Sequence, residues 1–145
     1  MFHANGWTFV WIVTAVGGTH VSLRKVEPLG IFTLTRDEGI TLLCAAPTVL
    51  IGIANAPEDV RRILLPTGVS KRRKVRVLAA GAPPAAATIE RIEGELGWEI
   101  TQVYGLTEIA PFITICEPRP EHAALSPPGT SYYQSPSGRG VDHFR

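Results

Sequence analysis

The sequence predicts an α/β fold: a mostly parallel sheet with helices on both faces. Two observations carry this. Runs of strand length alternate with segments of helix length along the chain. The runs themselves, Ile40 to Ala46 and Val75 to Ala80 above all, are apolar at nearly every position. A strand that is apolar on both faces belongs inside a parallel sheet sandwiched by helices.

The elements follow in order. Residues 7–16 suit a buried helix closed by Gly17-Gly18. This segment falls short of the roughly 20 apolar residues of a membrane span. It also lacks the basic start and small-residue cleavage pattern of a signal peptide. A chain that opens so close to an apolar segment suggests that Met1 is an internal methionine of a longer protein. His20 to Leu23 is a short strand candidate. Pro28 can occupy the first turn of the next helix, where its missing N–H is harmless. That helix should run to about Glu38, with Gly39 ending it in a left-handed conformation.

Ile40 to Ala46 is the next strand. Pro47-Thr48 punctuates, and Val49 to Ala54 begins a helix. Residues 55–74 are polar, basic and loop-like, and Lys71-Arg72-Arg73-Lys74 reads as a solvated stretch. Val75 to Ala80 is a strand, followed by the turn Gly81-Ala82-Pro83-Pro84. Ala85 to Leu96 is the clearest helix, since Ile89, Ile92 and Leu96 form one apolar stripe. Arg91 and Glu95 stand four apart on its wet side and can pair. Gly97 closes it. Glu99 to Val103 is a third strand in this series, and Ala110 to Cys116 a fourth. The composition changes after about Pro118. Residues 126–145 are rich in Ser, Pro, Gly and Tyr without period, and are expected to form an irregular, loosely attached tail.

The chain has 145 residues, 45% hydrophobic and 19% charged, with a formal net charge of +1. That is the balance of one modest globular domain. It carries no basic excess of the kind that marks a nucleic-acid partner. Cys44 and Cys116 are far apart and in no CxxC pattern. This argues against a disulfide scaffold or a zinc site, and a reducing, cytoplasmic location is expected. Cys44, inside Leu42-Leu43-Cys44-Ala45-Ala46, reads as a buried and inert thiol.

In an open parallel sheet, ligands bind beyond the carboxyl ends of the strands. Two segments sit at such ends. Ala80-Gly81-Ala82-Pro83 follows the strand from Val75, and the missing side chain of Gly81 would let a flat ring lie on the backbone. Many strand-to-helix turns contain Gly and Pro, so by itself this segment reads better as an ordinary turn. Tyr104-Gly105-Leu106-Thr107-Glu108 follows the strand from Glu99 and gathers a ring, a hydroxyl and a carboxylate within five residues. Tyr104 can pack on a base or sugar, and Thr107 can hydrogen-bond a phosphate oxygen. Glu108 suits Mg²⁺ shared with phosphate. A Tyr-Gly turn ending in a solvated Glu is the plainer alternative.

Together these segments resemble the AMP-binding, adenylate-forming superfamily that contains the acyl-CoA synthetases, aryl-CoA ligases and luciferases. Tyr104-Gly105-Leu106-Thr107-Glu108 matches its YGxTE motif, and Gly81-Ala82-Pro83 its adenine-side turn. Met1-Phe2-His3-Ala4-Asn5-Gly6-Trp7 resembles its PMFHxxGW segment. Cys44-Ala45-Ala46-Pro47-Thr48 resembles its strand ending in PT. The four segments occur in family order over about residues 1–125.

The resemblance implies part of the N-terminal domain of an adenylate-forming enzyme, spanning residues 1–125, with residues 126–145 as an irregular tail. It implies an ATP-dependent acyl-CoA synthetase, in which a carboxylate and ATP form an acyl-AMP that coenzyme A converts to a thioester. Gly81, Ala82, Pro83, Tyr104, Gly105 and Thr107 would bind the nucleotide. Thr107 and Glu108 would be catalytic, Glu108 would hold Mg²⁺, and His3 would line the acyl pocket. The implied substrate is a fatty or other medium-sized carboxylic acid. The family's Lys-terminated phosphate loop, ribose-binding Asp and C-terminal domain with its catalytic Lys have no counterpart in these 145 residues. The chain is therefore expected to be a fragment, inactive by itself. A non-enzymatic, nucleotide-binding or structural remnant is the alternative. A dinucleotide-dependent oxidoreductase is disfavoured because no G-x-G-x-x-G follows a strand.

Overall fold

The computed structural model describes residues 6–64, 74–109 and 111–116. Its elements are α1 (Phe9–Ala15), α2 (Pro28–Asp37), β1 (Leu42–Ala45), α3 (Pro47–Ala54), α4 (Glu58–Arg61), β2 (Arg76–Ala79), α5 (Ala86–Leu96), β3 (Glu99–Tyr104) and β4 (Thr114–Ile115). Short 3₁₀ turns cover Arg62–Leu64 and Thr107–Ile109. The sheet has the order β1-β2-β3-β4. β1 pairs with β2 and β2 with β3 in parallel, and β3 pairs with β4 antiparallel. The mostly parallel α/β sheet is the one the sequence predicts.

Local chemistry explains the boundaries. Pro28 and Pro47 open α2 and α3 within the first turn, where proline's missing N–H has no intrahelical partner to lose. α3 therefore starts two residues earlier than the sequence suggests. Gly39 (φ 63°) and Gly97 (φ 66°) follow α2 and α5 in the left-handed region, the usual way to turn a chain out of a helix.

The core lies between the sheet and the helices. β1, β2 and β3 contribute Ala45, Val77, Ala79 and Ile100, which the pleat and register place on one face. Against them pack Phe32 of α2, Leu50 and Ile53 of α3, and Ile89 and Ile92 of α5. Phe32 and Trp98 are both buried, with ring centroids 5.8 Å apart. Each fully buried Ile or Phe contributes roughly 1.5–3 kcal/mol of hydrophobic stabilisation. At the rim, Arg61 of α4 pairs with Glu95 of α5, and Arg91 reaches Glu95 at 3.0 Å and Asn55 at 3.0 Å.

Helices α2, α3 and α5 pack on the sheet face that carries Ala45, Val77, Ala79 and Ile100. The cause is topological. With strands in the order 1-2-3, crossovers of one hand put their helices on one side. The opposite face carries Leu42 and Cys44, both exposed, and Leu78 and Thr101, both half-buried. Cys44 is thus solvent-exposed and not buried as the sequence suggests. Its thiol is nevertheless pushed up to about 11, because neighbouring sheet atoms displace water from the sulfur.

α1 forms where expected but buries no residue, and Trp11 and Val16 are largely exposed. An apolar helix is buried only where a second surface meets it. His20 to Leu23 is not a strand. Of the stretch 55–74 that reads as a loop, residues 55–64 are more structured than expected, containing α4 and a 3₁₀ turn that delivers Leu64 to the core, and residues 65–73 lie outside the described residues. β4 is two residues long, shorter than the run from Ala110 to Cys116. The basic run at residues 71–73, His3, and the tail at residues 126–145 lie outside the described residues. No helix among the described residues is long and apolar enough to cross a membrane.

Candidate functional site

β2 and β3 are neighbouring parallel strands, so the loops that follow them leave the same edge of the sheet. Ala79 and Gln102 form the last registered pair, and Gly81 and Tyr104 each stand two residues further on. Hydrogen-bonded strands lie about 4.8 Å apart, so the two loops depart side by side. β1 ends at this same edge, where Pro47 and Thr48 begin α3. The topology thus brings together three of the four sequence segments singled out above. The fourth, containing His3, lies outside the described residues apart from Gly6 and Trp7.

Gly81 and Gly105 are glycines for different reasons. Gly81 has φ 99°, a conformation L side chains rarely adopt, yet a Cβ there would meet nothing within 4 Å. Its backbone faces open space, as a surface for a planar ligand requires. Ala82 and Pro83 beside it are exposed. Pro84 is fully buried and fixes the turn ahead of α5.

Gly105 has no room for a side chain. A Cβ there would fall on the Pro111 carbonyl oxygen, 2.6 Å from the Pro111 carbonyl carbon and 2.8 Å from the Phe112 Cα. The chain passes close to itself at this neck, and residues 106–109 lie in the loop beyond it. The Ile113 N–H donates to the Tyr104 carbonyl at 2.9 Å, and the Cys116 N–H to the Gln102 carbonyl at 2.8 Å. Within the loop, Thr107–Ile109 makes a 3₁₀ turn, with the Ile109 N–H donating to the Leu106 carbonyl at 3.2 Å.

This hairpin presents Tyr104, Leu106, Thr107 and Glu108 to solvent. Tyr104 is 56% exposed although it closes a strand, so its ring is available to a ligand. Thr107 supplies a hydroxyl and Glu108 a carboxylate. Neither has an ion pair or a side-chain hydrogen bond among the described residues. No group of three or more His, Cys, Asp and Glu side chains is placed to hold a metal ion among the described residues. A lone exposed carboxylate fits a cation such as Mg²⁺ that takes its other ligands from phosphate and water, and not an all-protein cage.

Sequence reasoning missed Pro111 and Phe112. Phe112 meets Trp7 edge-on, with ring centroids 6.1 Å apart at 85°, and Phe9 at 6.2 Å. Pro111 was the available signal: a proline near the start of a strand-like run delays the strand or confines it to an edge.

The chain and its fold are similar to those of known proteins. A family model described as AMP-binding enzyme matches residues 1–133. The chain is 41% identical over 121 residues to a probable acyl-activating enzyme 5, described as peroxisomal, of Arabidopsis thaliana, covering 83% of this chain and 20% of that protein. It is 37% identical over 141 residues to the 2-methylpropanoate–CoA ligase CCL4 of Humulus lupulus, covering 97% of this chain and 23% of that protein. The chain thus spans about a fifth of the length of the curated relatives it matches. Its fold is similar to the N-terminal domain of FACL13 from Mycobacterium tuberculosis, with a TM-score of 0.65 and 23% identity, over 85% of this chain and 29% of that one.

Proposed function

This chain belongs to the AMP-binding enzyme family, and from that premise we propose that it is a segment of an ATP-dependent acyl-CoA synthetase carrying part of the adenylate site. The observation that carries the reading is the shared sheet edge. The parallel register sets Gly81-Ala82-Pro83 beside Tyr104–Glu108, so a base-binding surface and a phosphate-binding hydroxyl face one ligand. The reaction is acyl activation. A carboxylate oxygen attacks the α-phosphorus of ATP, pyrophosphate leaves, and the acyl-AMP is then attacked by the coenzyme A thiol, which expels AMP.

The roles are those that the resemblance implies, and the side-chain chemistry is compatible with them. The open backbone at Gly81, with Ala82 and Pro83, packs against the adenine. The Tyr104 ring borders the base and the acyl group, and Gly105 closes the neck behind it. The Thr107 hydroxyl donates to a phosphate oxygen. Glu108 holds Mg²⁺, and bound Mg²⁺ would offset phosphate charge. His3 lines the acyl side in this reading. The substrate proposed is an aliphatic carboxylic acid, the class that includes fatty acids. A relative named as a 2-methylpropanoate–CoA ligase supports that class.

The 145 residues assayed by themselves are expected not to turn over. Loss of one charge-stabilising donor typically costs about 10²–10³ in rate, and these residues include neither the phosphate-loop Lys nor the ribose Asp of the resemblance. The test combines two measurements on this chain. AMP and Mg²⁺-ATP titrations followed by amide chemical shifts should perturb Gly81 and Tyr104–Glu108. Pyrophosphate exchange with ATP and a panel of aliphatic acids should stay at background. Shifts confined to other parts of the sheet would sink the site assignment, and exchange at the rate of an ordinary synthetase would sink the inactivity.

A further inference from the structure

The N-terminal segment and the hairpin loop are joined by aromatic rings. Gly6 (φ 70°), Trp7 (φ 57°) and Thr8 (φ 62°) are three successive residues in the left-handed region. Glycine takes that conformation freely, whereas a bulky Trp and a β-branched Thr do so rarely. Such backbone persists only where the surroundings over-determine it. Among the described residues those surroundings include Phe112, whose ring stands at 85° to the Trp7 indole in a T-shaped contact and at 55° to the Phe9 ring. Edge-to-face contact is the arrangement that ring quadrupoles favour.

The loop needs an external anchor. The side chains of Thr107 and Glu108 are exposed and make no hydrogen bond among the described residues. What orients their turn is the neck at Gly105 and Pro111, and immediately after it Phe112. We propose that Phe112 is a positioning residue. Seated against Trp7 and Phe9, it fixes the direction in which the loop presents Thr107 and Glu108. The role rests on the nucleotide reading given above, but the aromatic clamp can be measured without a ligand.

The test uses the 145-residue chain with Phe112→Leu and the conservative Phe112→Tyr. Amide hydrogen exchange is measured without ligand, and AMP affinity by titration. In Phe112→Leu, exchange at Leu106–Ile109 and at Trp11–Ile12 should rise together, by about two- to tenfold, the worth of an aromatic pair. The Val77 and Ile100 amides in the sheet should stay as protected as before. AMP affinity should fall by a similar factor, and Phe112→Tyr should restore both readouts. Faster exchange at only one segment, or at Val77 as well, would overturn the clamp. An unchanged AMP affinity in Phe112→Leu, with binding intact in the unsubstituted chain, would overturn the positioning role alone. An unsubstituted chain that does not bind AMP would instead overturn the nucleotide reading, and exchange would still decide the clamp.

Discussion

Gly81 and Tyr104 each stand two residues past the registered pair Ala79–Gln102, Gly81 in the turn after β2 and Tyr104 as the last residue of β3. Because their strands are parallel, both loops open at the same edge. One loop offers bare backbone and the other a ring, a hydroxyl and a carboxylate. The division of labour proposed for the site depends on this alignment.

Glu108→Gln is expected to weaken Mg²⁺-dependent ATP binding while leaving Mg²⁺-free AMP binding nearly unchanged. Gln keeps the shape but removes the charge that a hard cation prefers. Glu108 is exposed and unpaired among the described residues, so stability should shift by less than about 0.5 kcal/mol. Calorimetric titration with and without Mg²⁺ checks the first expectation, and urea unfolding the second. An equal loss with and without the metal would remove Glu108 from the cation site.

The two loop glycines should respond differently to alanine. Gly105→Ala must displace the Pro111 backbone, an overpacking cost of about 1–3 kcal/mol. It should also disturb the β3–β4 pairing, seen as faster exchange at Ile113. Gly81→Ala meets no atoms and suffers only from its φ of 99°, about 1–2 kcal/mol of backbone strain. Exchange at Ile113 should stay unchanged in that variant. If both substitutions loosen the hairpin, the neck is not specific to Gly105.

Much of the fold was legible because its signals are local. The stripe Ile89, Ile92, Leu96, the prolines of α2 and α3, and the glycines after α2 and α5 act within one or two turns of chain. The exposure of Leu42 and Cys44 was not legible. The sequence of β1 states that Leu42 and Cys44 are apolar, but not whether a second layer reaches them. The site was legible as two loops at strand ends, and the structure puts them at one edge. The neck and its aromatic anchor were not, because Trp7 and Phe112 are a hundred residues apart and meet only through the fold.

Glu93 gives a pH-dependent expectation. Its carboxylate accepts the Ile100 N–H at 3.3 Å, yet its pKa is raised, first by burial and also by neighbouring Glu99, against the lowering effect of that hydrogen bond. A raised carboxyl pKa means the native state holds its proton to higher pH than the unfolded chain. The stability this gives is fully present below the ordinary Glu value and is lost as pH rises through the folded value. Glu93→Gln keeps an acceptor without the charge, so it should be neutral or stabilising at pH 7 and flatten this part of the pH profile. Glu93→Ala leaves the Ile100 N–H without its partner and should cost about 1–3 kcal/mol. Urea unfolding of both variants from pH 4 to 7 tests this, and a Gln variant as damaged as Ala would refute it.

Cys44 should alkylate slowly despite its exposure. With its thiol pushed up to about 11, little thiolate exists near pH 7.5, and the thiolate is the nucleophile. Iodoacetamide modification followed by mass spectrometry should accelerate steadily beyond pH 9. The same raised pKa means that stability declines as pH climbs from the ordinary thiol value toward 11. Rapid labelling at pH 7.5 would show that water reaches the sulfur freely.

The order β1-β2-β3 has a kinetic side as well. Every parallel pairing joins a strand to the next one along the chain, with a crossover of modest length between them. Partners such as Leu42 and Arg76 or Arg76 and Glu99 are closer in sequence than a direct β1–β3 pairing would be, which limits the loop-closure cost, although parallel pairing remains intrinsically slow. The helical layer can therefore condense around Val77 and Ile100 as soon as β3 is available. Leu42, Cys44 and Leu78 take no part in that event. Substitutions at Leu42 and Cys44, which are exposed among the described residues, should therefore alter folding speed less than substitutions at Val77 and Ile100.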